Sequence, residues 1–335
     1  MTPEVERLVD LLDQGDDHTA VELVHALVFG GIDPQMLVDE LLVPVQRRIG
    51  VLIEHKRIDD EVVPRSAAFV DGALEILASI ASSSSLRGPA VVVACPPGEW
   101  HTLPARMVAT VLRCDGWNAR ALPVTRSIAE LVRSSTTTDM TVLLSCTMTN
   151  SLFACAHAVD ALHRRGATVI VGGSAFGADD RRARAVGADA RAESALDAAA
   201  RLRARRRQWT DPTSRRLHEP ERRVLANATD SALRILHRSG APRPLPSSQD
   251  LTQVLLWAHL TLQLGEDDVL SREVGRWRRR LVAGGQDDTV VAAALEALAG
   301  ASPPGPLRGV LLAEAAAKPP IEGGSAEQSR GPVPF

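Results

Sequence analysis

The chain has 335 residues, 45% of them hydrophobic and 24% charged, with a formal net charge of −3. That length allows two or three domains with substantial cores, and the near balance of charge excludes a duplex-binding surface spread over the whole protein. The acidic start Met1-Thr2-Pro3-Glu4-Val5-Glu6 lacks the composition of a signal peptide, no apolar run reaches the roughly 18–20 residues that cross a bilayer, and the four cysteines lack a Cys-x-x-Cys spacing, so a reduced, cytoplasmic setting is expected.

Apolar positions at helical spacing run through Val5, Leu8, Val9 and Leu12, and again through Val21, Val24, Leu27 and Val28. Gly30-Gly31 ends the second helix. Asp33-Pro34 then supplies an N-cap followed by a proline at the first helical position, where its missing N–H is harmless. A long third helix carries Met36, Leu37, Leu41, Leu42, Val45, Ile49 and Leu52, with a kink predicted at Pro44. A fourth opens at Ile58-Asp59-Asp60 and continues through Phe69, Ala73, Ile76 and Ile80. Residues 1–82 are therefore predicted to form a four-helix bundle, with Ser82-Ser83-Ser84-Ser85 as a linker.

Over residues 87–206 the pattern changes. Ala90-Val91-Val92-Val93-Ala94-Cys95 is a continuous apolar run of the kind that buried parallel strands use, and a helical pattern through Met107, Val108, Val111 and Leu112 follows it. A short strand near 119–124 and a helix around 128–132 come next. Thr141–Ser145 reads as a third strand, Ala156, Val159 and Leu162 mark a helix, and Thr168–Val171 is a fourth strand. A weak fifth strand lies near 187–192, before a helix from about Ser194. Five strands alternating with helices predict an α/β fold with a doubly wound parallel sheet. Ligands of such sheets bind beyond the carboxyl ends of the strands, and those ends hold His101, then Ser145 with Thr147, then Gly172-Gly173.

The run Arg201-Leu202-Arg203-Ala204-Arg205-Arg206-Arg207, with Arg215, Arg216, Arg222 and Arg223, is strongly basic and reads first as a solvated face, second as a contact for phosphate or an acidic partner. Four further helices are predicted between 220 and 300, through Val224–Leu236, Leu251–Leu262, Val269–Leu281 and Val290–Leu298, as a small helical domain. The Pro- and Gly-rich stretch 301–335 is expected to be a disordered tail.

Three strand-end segments occur in order: Glu99-Trp100-His101-Thr102-Leu103-Pro104, Ser145-Cys146-Thr147 and Gly172-Gly173-Ser174. Singly, each has an ordinary reading as a loop histidine, a cap and a turn. In this order they resemble the motifs of cobalamin-binding domains of the methionine-synthase type: an acidic residue two positions before His, then Ser-x-Leu or Ser-x-Thr, then Gly-Gly. Met107-Val108-Ala109, Gly116-Trp117 and Arg182–Asp189 extend the resemblance, which spans about residues 20–205 and includes the helical cap. It implies a flavodoxin-like domain over 87–206 that binds cobalamin base-off. His101 is then the lower axial cobalt ligand and Glu99 fixes its tautomer; Ser145 and Thr147 hydrogen-bond the nucleotide tail, Gly172 and Gly173 offer it bare backbone, and Trp100 packs on the corrin edge or simply on the protein.

Two departures are notable. Pro104 replaces a glycine at the helix start, where proline is acceptable. Ile53 stands where sensory relatives have a cobalt-covering Trp, and Val63-Pro64 where they have Glu-His, so the upper ligand, with His55 nearby, stays open. No stretch supplies the substrate barrel of about 250 residues that cobalamin enzymes use, which favours a non-catalytic role without excluding catalysis. The expected function is a cobalamin-binding sensor or regulator acting on a regulatory protein partner. The alternatives are a corrinoid shuttle between methyltransferases and a degenerate interaction module. Self-association is left open, and neither a membrane nor direct DNA contact is expected.

Overall fold

A computed structural model describes residues 2–55, 57–81, 87–135, 140–204, 217–285 and 287–317. The chain divides into two compact units between Arg216 and Leu217. In the first, α1 (Pro3–Gln14) buries Val5, Leu8, Val9 and Leu12, the stripe its periodicity specifies. α2 (Asp17–Phe29) starts where the Asp16 carboxylate accepts the Thr19 amide. Asp33 likewise accepts the Gln35 amide at 2.8 Å and opens α3 (Pro34–Leu37). The expected kink at Pro44 takes another form. A π-turn over Val38–Leu42 lies immediately before α4 (Val43–Glu54), and its wider winding makes room for a ring that an ordinary turn would press against a carbonyl. α5 (Val62–Ala81) completes the bundle. The serine linker at 82–85 lies outside the described residues.

Five strands follow: β1 (Arg87–Ala94), β2 (Trp117–Ala121), β3 (Thr141–Ser145), β4 (Thr168–Gly172) and β5 (Ala190–Ala192). All pair in parallel in the order β2-β1-β3-β4-β5, the flavodoxin-like topology, whose direction of winding reverses between β1 and β3. The intervening helices are α6 (Leu103–Cys114), α7 (Ile128–Ser135), α8 (Leu152–His163) and α9 (Arg181–Ala185), and α10 (Ala195–Ala204) follows β5. On one sheet face, Val91, Val93, Leu143, Ile170 and Ala192 pack against Ala105, Ala109 and Leu112 of α6 and Ala198, Ala199 and Leu202 of α10. α6 also lends Met107 and Val111 to the core of the bundle. Arg106, on the same helix, reaches Asp71 and Glu75 of α5.

The second unit is helical: α11 (Arg222–Arg238), α12 (Ser248–Leu264), α13 (Asp268–Ala283), α14 (Thr289–Ala301) and α15 (Pro306–Ala316). Its core gathers Leu236, Leu255, Val274, Trp277, Leu295 and Leu298. The last helix corrects the expected tail from 301. Pro306 sits at its start and Leu311 is completely buried, so the Pro-Gly run is a helix entry and not the beginning of disorder. Residues 318–335 lie outside the described residues, as does most of the basic run: Arg205–Arg207, Arg215 and Arg216. Among the described residues no helix is long and apolar enough to cross a membrane.

If α15 is an integral part of the second core, Leu311→Ala lowers stability by about 2–5 kcal/mol, measured by urea denaturation. A change below about 0.5 kcal/mol would mark it as peripheral.

Candidate functional site

β1 ends at the apolar Ala94-Cys95, and the chain then turns through Pro96-Pro97-Gly98 to bring Glu99 beneath the carboxyl edge of the sheet. Glu99 is fully buried. An ionised carboxylate is stable there only if its oxygens are hydrogen-bonded, and both are. Oε1 accepts the His101 amide at 3.1 Å and lies 2.6 Å from the ring nitrogen Nδ1; Oε2 accepts the Thr147 and Met148 amides at 3.0 and 2.8 Å. Burial pushes the Glu99 pKa up. Hydrogen bonds from the His101 ring and from the Met148 and His101 amides, with the charge of His101, outweigh it and hold the carboxyl below its ordinary value of 4.5.

This arrangement sets the histidine. Nδ1 is the nitrogen that faces Glu99, so Nε2 is the ring nitrogen left without that partner, and the side chain is 34% exposed. Trp100 is largely exposed and stacks on the imidazole, with centroids 3.9 Å apart and planes 27° apart, so its partner in this structure is His101. The Thr102 amide bonds back to the Trp100 carbonyl as α6 begins.

The other predicted residues converge on the same edge. Ser145 and Gly172 are register neighbours across β3 and β4, and Gly172 pairs in turn with Ala192 of β5. Ser145, Gly172 and Gly173 line a narrow cleft, with about 30 Å³ of enclosed space, between the sheet and helices α6 and α10. Thr147 does not line it; its Oγ1 is buried and has no hydrogen-bond partner. The glycines also answer a need of the protein's own backbone. Gly173 has φ +111°, and a Cβ there would lie 2.2 Å from the Cys146 carbonyl oxygen; at Gly172 it would lie 3.0 Å from the Ala192 carbonyl oxygen. Side chains are excluded by neighbouring backbone of the protein itself. Beyond them, buried Arg182 donates to the Ala175 carbonyl at 2.7 Å. Buried Arg191 donates to the Gly177 and Ala178 carbonyls and to Asp180 and Glu193, fixing the β4–α9 loop.

Sequence reasoning missed Val108, Ser194 and Ala198, which also line the cleft. Aliphatic and small residues carry no chemical signature, although Ser194 shows one structural signal as the cap whose hydroxyl accepts the Asp197 amide. The upper-face substitutes divide: Ile53 packs partly buried against the bundle core, Val63 is about half exposed, and His55 is an exposed helix end. Burial pushes the Cys95 thiol up to about 12 and Cys146 well above its ordinary value, so these sulfurs behave as small hydrophobes. Among the described residues no group of three or more His, Cys, Asp or Glu side chains is placed to hold a bare metal ion.

Residues 89–200 match a family model described as B12 binding domain, and residues 4–78 match a second model of the same description. None of the curated proteins matches the chain. Among solved structures, it is similar to the monomethylamine corrinoid protein of Methanosarcina barkeri, with 20% identity, 60% of this chain and 97% of that one covered, and a TM-score of 0.53. A cobalamin-binding protein from Desulfitobacterium hafniense DCB-2 has 18% identity, the same two coverages and a TM-score of 0.31. The methanol:cobalamin methyltransferase complex MtaBC of Methanosarcina barkeri has 23% identity, 65% and 85% coverage, and a TM-score of 0.32.

Two substitutions test this geometry. Gly173→Ala costs about 3 kcal/mol or more from overpacking plus a left-handed backbone. Gly116→Ala, at φ +86° with nothing within 4 Å, costs only the backbone share, about 1–2 kcal/mol. Equal losses in thermal unfolding would contradict the close approach to Cys146. Glu99→Gln destabilises by about 2 kcal/mol at neutral pH. Because the folded pKa lies below 4.5, the wild-type advantage is complete above that pH and disappears as pH falls through the folded value; urea midpoints of both proteins across an acid series check the sign.

Proposed function

We propose that this chain, which the two domain matches make a cobalamin-binding-domain protein with cobalamin as its cofactor, is a sensor or regulator that holds the corrinoid base-off on His101. The observation that carries the ligand assignment is the Glu99–His101 pair. The Glu99 carboxylate, 2.6 Å from Nδ1, would orient the ring, leave Nε2 as the coordinating atom and raise its basicity. One imidazole suits a cobalt whose equatorial positions are already filled by a macrocycle. The cleft beside Ser145, Gly172 and Gly173 would take the displaced nucleotide tail. When bound, the corrin supplies a cobalt centre whose axial ligands change with redox state and alkylation.

A regulatory output is supported by the construction of the first unit. Cap and sheet share α6, and Arg106 ties that helix to Asp71 and Glu75, while Gln35 of α3 reaches Asp115 at its end. A ligand that interacts differently with two arrangements of cap and sheet shifts the population between them. The corrinoid shuttle remains the second reading, on the fold shared with the monomethylamine corrinoid protein. That likeness covers nearly all of the neighbour but 60% of this chain, and the additional helical unit favours regulation.

Hydroxocobalamin added to the full chain is expected to give the absorption spectrum of histidine-ligated, base-off cobalt. His101→Ala abolishes that form, and Glu99→Gln weakens binding roughly 10- to 100-fold. Identical spectra for free cofactor, wild type and His101→Ala would end the assignment. Methyl transfer from the methylated protein to a methyltransferase, with no cofactor-dependent change in partner binding, would replace the sensor by the shuttle.

A further inference from the structure

We propose that Trp100 is a positioning residue for the axial histidine: its indole fixes the tilt of the His101 ring and holds that ring more firmly once Nε2 is bound to cobalt. This rests on the cobalamin reading above and gives a role to a side chain that the reading leaves unused.

Three constraints meet at the imidazole. The main chain is the first. The Thr102 amide closes a three-residue turn on the Trp100 carbonyl at 2.9 Å, the His101 amide donates to Glu99 at 3.1 Å, and the Cys95 thiol donates to the His101 carbonyl at 3.6 Å. Both peptide groups of His101 are thereby engaged, and its Cβ is held in place. Glu99 is the second constraint, 2.6 Å from Nδ1. One such contact locates a single ring atom. The ring can still tilt about the line from that atom to Cβ, because the χ2 torsion of histidine is broad. The indole is the third constraint. Its centroid lies 3.9 Å from that of the imidazole, with 27° between the planes, so it blocks the tilt on one side with a flat surface.

Packing does not explain a tryptophan at this position. The side chain is 66% exposed, so little stability comes from burying its own surface, and consecutive side chains in regular structure point apart and do not stack. The electrostatics give the contact a preference for the ligated state. The face of an indole is negative, and it attracts a neighbouring ring more strongly as that ring becomes electron-poor. An imidazole that shares its Nε2 lone pair with cobalt is poorer in electrons than a free one. The stack therefore favours histidine over water as the lower ligand, and it also reduces the orientations that ligation must freeze.

The test is a redox titration of the full chain loaded with cob(II)alamin. Reduction to cob(I)alamin releases the axial ligand, so the midpoint potential reads the strength of the histidine–cobalt(II) bond. Trp100→Ala is expected to weaken that bond roughly 3- to 10-fold and to raise the midpoint by about 30–60 mV. Its urea midpoint stays at the wild-type value, as for other exposed positions. Trp100→Phe, which keeps a ring face, recovers most of the shift; Trp100→Leu, apolar but without a π face, does not. Should Trp100→Ala fail to fold, the difference between Phe and Leu decides alone. A shift below about 10 mV in Trp100→Ala, or equal recovery by Phe and Leu, overturns the positioning role and leaves ligation by His101 standing. A wild-type potential equal to that of His101→Ala, or no binding of cobalamin at all, overturns both.

Discussion

A carboxylate with no access to water must have its charge met by the protein, and Glu99 is met from two loops at once. Its Oε1 belongs to the chain after β1, its Oε2 to the chain after β3, and these are the two strands between which the winding reverses. The parting of connections at that point opens the crevice; the carboxylate keeps its two lips at a fixed separation. The same carboxylate that aims the imidazole therefore also ties the two loops together. At the opposite edge of the sheet, Asp189 accepts the Val169 amide at 2.7 Å and pairs with His163 at 2.9 Å. That histidine stands at the amino ends of the strands, away from the crevice at the switch in winding, so the two carboxylate–imidazole pairs differ in their place in the topology.

The glycines meet a structural need at the same place where they border the cleft. Gly172-Gly173 looks like bare backbone left for a cofactor, and both residues do border the cleft. Yet the missing side chains make room for Ala192 and Cys146. Drawing β4, the loop after β3 and β5 this close together is what closes the floor of the rim, and the two buried arginines hold the following loop so that it does not spread. The rim of the cleft is thus preorganised by contacts within the protein itself.

Most of the fold was readable from residue order. Val91-Val92-Val93, Val142-Leu143-Leu144 and Val169-Ile170-Val171 are too short and too uniformly apolar to be anything but buried strands, and the helix stripes name their own buried faces. What escaped notice depended on neighbours remote in sequence. Leu311 reveals α15 only through its burial, because the preceding Pro303-Pro304-Gly305-Pro306 has the composition of a tail. The winding at Pro44 is a local accommodation that period counting cannot separate from a bend. Of the site, Glu99, His101, Ser145, Gly172 and Gly173 carried recognisable chemistry. The bonds to the Thr147 and Met148 amides span 48 and 49 residues, and Val108 and Ala198 become a wall only when two helices face one sheet.

α6 begins two residues after His101 and is buried on both flanks: Ala105, Ala109 and Leu112 against the sheet, Met107 and Val111 within the bundle. Close-packed interiors are stiff, so a helix gripped from two sides behaves as a rod and not as a spring. The turn that carries His101 and the core of the bundle are therefore mechanically continuous through a single helix.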